Sequence, residues 1–389
     1  MSDIIERISA RGNRAGVIGG GATVVLVVAG LIFGFEAVMQ SWLVAFLLWL
    51  AVPLGSLAFM LLHNLTGGGW GHAIRRVLEA STKTLPFMAL ASVPFLVWPG
   101  ALYEWAHPEV VANDPILQHK AAYLNVGFFR IRGVVFFAVW IALAAIARSL
   151  SARNEREMTE ESGHRLRTIS APGIGIYGLT LTFATVDWGM SLEPHWFSTM
   201  YGVTFLIGYG LTALCFSVLV GAWLSKREPV SSHVETGQFH DLGNLMLAFT
   251  MLWAYVAFSQ FLIIWQGDLS EEAPYYVSRL GHGWQGLALF LLLFHFAMPF
   301  FLLLSRRTKR SRTMLATLAG LILLMRFADV TWLVVPAFGR DGWVSGFALD
   351  VLAIVALGGL WLRFFSGALR SGPLYSAIPE KADEAPSHA

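Results

Sequence analysis

Charge interrupts this sequence so rarely that very few folds are open to it. Stretches of about 20 apolar residues recur ten times, near 15–35, 42–63, 84–106, 126–148, 172–190, 200–224, 243–266, 284–304, 313–337 and 343–365. A helix of about 20 residues, rising about 1.5 Å at each, crosses the roughly 30 Å hydrocarbon layer of a bilayer. Inside that layer every backbone N–H and C=O must be paired within the protein, which leaves helices and closed barrels. Long runs without residue-by-residue alternation argue against the barrel. The expected fold is therefore all-α: a polytopic integral membrane protein of about ten transmembrane helices. Composition agrees, with 13% charged residues against about a quarter in soluble domains.

Sidedness follows from the basic residues. With the N-terminus placed in the cytoplasm, 21 of the 27 lysines and arginines fall on the inner side and three on the outer, while Arg130, Arg132 and Arg326 lie within runs. Cytoplasmic loops retain such an excess, so both termini are expected inside, with SRRTKRSR (305–312) as the clearest inner anchor. The first run is longer than the apolar core of a secretion signal, and no small-residue cleavage site follows it. It is expected to remain as a helix. The single Cys215 excludes an internal disulfide, a cysteine-ligated iron–sulfur cluster and a Cys-x-x-Cys-His haem attachment. No nucleotide-binding glycine motif, nucleophile elbow or metal-ligand cluster is present. Residues 1–372 read as one ten-helix transmembrane domain. The charged connection 149–171 is expected to be solvated, 107–125 with its two prolines to lie as a loop on the membrane, and 373–389 to form a disordered cytoplasmic tail.

Ionisable groups within the runs are costly in lipid and therefore informative. Counted from the run ends, His295 lies about 16 Å deep and Arg326 near the midplane. Asp329 falls about 4–5 Å further out, and Asp350 roughly 10 Å from the outer edge. Four such groups on three consecutive helices share a band of depth. Arg326 and Asp329, three apart, face one side of their helix and can neutralise each other. This cluster suits a proton path or a quinone head group; equally, it suits a buried ion pair and a hydrogen-bonded histidine that hold helices together. Trp253, Tyr255 and Trp332 are candidate ring walls for a quinone, although ordinary packing weighs more for them.

Toward the inner surface, His63, His72, His240 and Asp241 are more readily capping or interfacial residues than ligands. His240 and Asp241 open the seventh run, and His63 precedes the glycine-rich turn LTGGGWG (65–71). No two histidines face each other at one depth, as a b-type haem requires. Arg130 and Arg132 are expected to snorkel to the outer interface. In ATVDWGMSLEPHWFSTMYG (184–202), Asp187 lies about one turn below the outer surface. It is a candidate outer port for protons, and Glu193, Pro194 and His195 shape a turn or a docking surface.

Five stretches carry a resemblance: FATVDWGMSLEPHWFSTMYG (183–202), GQFHDLGNLMLAFTMLWAYVAFSQFLIIWQGDLSEEAPYY (237–276), HFAMPFFLLLSRRTKR (295–310), ADVTWLVVPAF (328–338) and LTGGGWG (65–71). In order and in the count of runs, the chain resembles the ActF membrane-subunit family of the bacterial alternative complex III, a quinol:cytochrome c oxidoreductase of the inner (cytoplasmic) membrane. The resemblance implies an NrfD-like architecture of two four-helix bundles plus peripheral helices. It implies no redox centre in this chain, which is a scaffold with candidate proton half-channels and is not catalytic alone. Quinol, c-type haems and iron–sulfur clusters are then expected in partner subunits. Those partners are an ActC-like quinol-binding membrane subunit, a multihaem c-type cytochrome and an iron–sulfur protein, with a terminal oxidase as a further associate and no nucleic acid. Under it, Asp187, His295, Arg326, Asp329 and Asp350 are candidates for the outer half of a proton path, and His63, His240 and Asp241 for the inner. Two alternatives stay open: an NrfD-like anchor that binds quinone itself through His295, Arg326 and Asp329, and a secondary transporter with a polar midplane.

Overall fold

The computed structural model describes residues 2–228, 230–344 and 346–375. α1 (Ser2–Phe33) and α2 (Phe35–Thr66) reverse direction through Gly34 alone, whose φ of 94° suits glycine. α3 (Gly69–Thr82) and α4 (Leu85–Val97) then follow as a pair bent by 43°. This corrects the expected run at 84–106. Pro99 disfavours helical geometry at Trp98 and ends α4, and residues 99–106 fold into two 3₁₀ turns. α5 (Pro108–Asn113) and α6 (Pro115–Lys120) replace the expected loop at 107–125, since a proline at the first helical position starts a helix readily.

α7 (Val126–Glu157) and α8 (Glu160–Trp188) are also longer than expected. Only Met158 and Thr159 separate them, with Met158 left-handed and Thr159 in a reciprocal cap with Ser162. Most of the charged connection 149–171 is thus helical. α9 (Met200–Leu224), α10 (Thr236–Gly267) and the short α11 (Pro274–Val277) follow. α12 (Trp284–Leu291) continues through a π-helical turn at Leu292–Ala297 into α13 (Met298–Leu304). α14 (Arg306–Arg310), α15 (Arg312–Val334) and α16 (Phe347–Arg370) complete the order. Among the described residues there is no strand. Among the described residues, nine helices are long and apolar enough to cross a bilayer, or ten with the bent α3–α4 pair as one span. The protein is a multi-pass, all-α membrane protein.

α2 shows why the helices group as they do. It is apolar all round, and Leu43 to Leu47 are wholly buried, the pattern of a helix with protein on every side. It packs with α3–α4, α7 and α8 as one four-helix group; α9, α10, α12–α13 and α15 form a second. The groups meet where α2 crosses α9 at Gly55, at which a Cβ would lie 2.1 Å from the Tyr209 carbonyl oxygen. α1 and α16 pair outside both groups, backbone against backbone at Gly19 and Gly359. The outer face of α1 is apolar and exposed, as at Leu31 (85%), so it meets lipid or another chain.

Because the spans alternate in direction, most lysines and arginines collect at one end of the molecule, called the basic end below. There Tyr375 stacks on His233 at 4.0 Å and its carbonyl accepts from Arg76, so the chain just after α16 is fixed. The rest of the expected tail, 376–389, lies outside the described residues.

Candidate functional site

Arg326 and Asp329 sit one turn apart on α15, both buried, and Arg326 Nη1 donates to Asp329 Oδ2. Arg326 Nε donates to Thr212 Oγ1 on α9 at 3.2 Å. The guanidinium fits because position 208 is glycine; a Cβ there would lie 2.2 Å from Arg326 Nη2. From α10, the Trp253 indole N–H donates to the same Asp329 oxygen at 3.3 Å. The Trp253 ring in turn meets His295 edge to face, with centroids 4.3 Å apart.

His295 is wholly buried on the π turn, and neither ring nitrogen has a hydrogen-bond partner among the described residues. Pro299 accounts for the turn. It lacks the N–H that would bond the His295 carbonyl four residues earlier, and its ring would collide with that carbonyl. A π turn relieves both, and such turns often lie at functional sites. Arg326 Nη2 and the hydroxyls of Tyr209, Thr250 and Thr331 are likewise buried and unpaired.

Asp329, Trp253 and Trp332 also line an apolar cavity of about 550 Å³ between α10, α11, α12 and α15. Its size is within the range of small-molecule sites. Gln260 and the buried Arg279 are among its few polar walls. Arg279 is pinned by the Tyr275 carbonyl at 2.6 Å, the Trp332 carbonyl at 3.3 Å and Glu193 at 3.2 Å. Burial pushes the Tyr275 phenol up to about 12, so it remains an O–H donor. Trp196 stacks on Tyr275 at 4.0 Å, which brings the 184–202 stretch against the Tyr275 wall of this cavity. Tyr255 is not a wall: it is 68% exposed, because two residues along a helix from Trp253 turn it to the far side.

Several predicted site residues stand elsewhere. Asp187 is no surface port. It is wholly buried and gripped by Arg132 through two bonds, of 2.7 and 3.0 Å. Arg132 therefore turns inward, while Arg130 alone reaches back to the Leu96 and Val97 carbonyls. Asp350 does not join the Asp329 cluster; from the first turn of α16 it binds Arg340 at 2.9 Å and Ser41 of α2 at 2.5 Å. Equal depth placed it in the same band, but its helix packs against α2 and α1.

At the basic end, His63 Nε2 lies 3.0 Å from the Gly68 carbonyl oxygen and Nδ1 3.4 Å from Arg75. Gly71 makes room, since a Cβ there would fall 2.0 Å from the imidazole. Arg75 and Arg76 continue into a network with Glu79, Ser151 and Glu155 that ties α3 to α7. His240 and Asp241 lie 3.5 Å apart on the more open start of α10. They do not cap it, because α10 starts earlier, at Thr236, where Glu235 and Gln238 form the reciprocal cap. At the opposite end His195 pairs with Asp114 at 2.6 Å. Desolvation works against the Asp114 carboxylate, but hydrogen bonds from His195 and the Leu117 and Ile116 amides outweigh it and hold the group below its usual range.

Of the cations that pair with the acids, Arg75, Arg279 and Arg340 carried no expectation from the sequence, and Arg132 was expected to snorkel outward instead of pairing with Asp187. Only Arg75 carried a local signal, with Glu79 four residues on. Among the described residues no three His, Cys, Asp or Glu side chains are grouped to hold a metal ion. No protein-family model matches the chain, and no curated protein is detectably similar to it.

Proposed function

We propose that this chain is the ActF-type integral membrane subunit of a bacterial alternative complex III, and that the Arg326–Asp329–Trp253–His295 cluster moves protons within it. One observation carries the reading. Three motifs that carry the resemblance, far apart in sequence, each bring one member to the cluster: Asp329, Trp253 and His295. A carboxylate bonded to both a guanidinium and an indole, beside an imidazole with two free nitrogens, has the donors and acceptors for a proton to be held and passed on. The chain itself lacks a redox centre in this proposal and scaffolds its partners. These are an ActC-like quinol-binding subunit, a multihaem c-type cytochrome and an iron–sulfur protein, with a terminal oxidase as a further associate. It would lie in the bacterial inner membrane with the basic end and both termini cytoplasmic. The test is Asp329→Asn in the assembled complex. Quinol-driven proton movement should slow at normal haem content. If the variant complex instead fails to assemble, the ion pair is structural and the proton role is wrong.

The cavity beside Asp329 favours a second reading, in which this chain binds a quinone head group directly. Trp253 and Trp332 would flank the ring, and Asp329 would receive or bond a quinol proton. Photolabelling with an azidoquinone distinguishes the two readings: label on α10 or α15 supports binding here, and label confined to a partner subunit rejects it. The transporter alternative draws little support from the fold. The two interrupted spans, α3–α4 and α12–α13, take second place in one helix group and third in the other, not the matched positions of a repeat.

A further inference from the structure

The basic end holds a second apolar hollow, of about 440 Å³, where the first turns of α1 meet the last turns of α9 and α16. Phe216, Leu219 and Leu362 give it hydrocarbon walls, and Arg11 and Trp223 line it as well. The Arg11 guanidinium lies 4.4 Å from the centroid of the Trp223 ring, and Arg227, from the turn after α9, lies 4.9 Å from the same centroid. Two cations therefore share one indole, well within mutual repulsion over a Debye length of about 10 Å. Neither has an acid among the described residues. Nearby Arg7 pairs with Asp3, and Glu228 is turned to Ser231, while the Arg227 side chain donates to the Trp223 carbonyl at 3.2 Å. The Trp223 indole N–H is also buried without an acceptor.

Depth completes the picture. α1 has 32 residues, so at about 1.5 Å each it outreaches a hydrocarbon layer of about 30 Å. Its first turns, with Ile4 and Ile8 buried and Arg11 exposed, stand at the level of lipid headgroups, and the hollow runs from there toward the acyl layer. We propose that this hollow binds one anionic phospholipid, its phosphodiester at Arg11 and Arg227 and an acyl chain along Phe216 and Leu219. A free phosphate would leave the apolar walls unused, and a zwitterionic lipid would leave the paired cations only partly neutralised.

Native mass spectrometry of the full chain in a neutral detergent, titrated with dioleoyl phosphatidylglycerol or dioleoyl phosphatidylcholine, tests this. The wild type should favour the first bound phosphatidylglycerol by about 10- to 30-fold, from two basic residues at the headgroup. Arg11→Gln/Arg227→Gln should reduce that preference to about threefold or less while still binding phosphatidylcholine. Leu219→Trp, which fills the hollow, should weaken both lipids. Arg11→Lys/Arg227→Lys keeps the charge and should keep most of the preference. Equal binding of the two lipids by the wild type overturns the proposal. So does an unchanged preference in the glutamine variant, loss of preference in the lysine variant, or a dimer that binds no lipid.

Discussion

Single residues decide whether buried charge in this molecule is tolerated. Asp187 and Arg132 lie on neighbouring helices, α8 and α7, and each is the other's main neutralising partner. The guanidinium also rests 3.8 Å from the Tyr123 ring centroid, so one face of the pair is closed by an aromatic ring. Removing one member of such a pair leaves an uncompensated charge and costs about 3–5 kcal/mol, whereas replacing both by apolar groups is often neutral. Arg132→Leu is therefore expected to lower the thermal stability of the purified chain sharply, and Arg132→Leu/Asp187→Leu to recover most of it. Should the single variant melt with the wild type, the pair bears no weight in the fold. The sequence showed both residues, but not their union. They are 55 positions apart, and only the antiparallel pairing of α7 with α8 brings them to one level.

At the scale of elements, the spans were legible because burial in lipid leaves a continuous signature in composition. Their ends were less so. Apolar runs stop where the hydrocarbon stops, but α1, α7, α8 and α10 continue into water, since caps such as Thr159 and Glu235 hold the backbone there. The π turn was equally hidden, as an inserted residue leaves an apolar run apolar. Yet it sets where His295 points. Deleting Leu293 together with Pro299→Ala should return the α12–α13 span to ordinary helix, because the inserted residue and the proline that requires it are both gone. His295 would then be re-aimed by up to about 100°. Under the proposed function, the variant complex is expected to assemble with normal haem content and to show slowed quinol-driven proton movement, as His295→Ala would. If proton movement is intact, the direction of His295 does not matter and the cluster loses its histidine.

The whole molecule has a charge axis, and its orientation in the membrane can be measured directly. The alternation of spans puts Ser371, just after α16, at the basic end and Ser270, after α10, at the other. Both are exposed, whereas the native Cys215 is wholly buried in α9 and free of a disulfide. A Cys215→Ala background is therefore expected to fold, and cysteines placed at 270 or 371 would be the reactive thiols. Translocating an inner-side loop rich in arginine is disfavoured for each such loop, and here every basic connection acts in the same direction. In intact cells stripped of any outer membrane, a membrane-impermeant maleimide should label Ser270→Cys. It should label Ser371→Cys only after the membrane is opened. The reverse pattern would put the basic end outside, and with it His63 and the Arg75 network. Protons taken from the cytoplasm would then have to enter from the Asp187 and Asp350 side, where both carboxylates are already closed off by arginines.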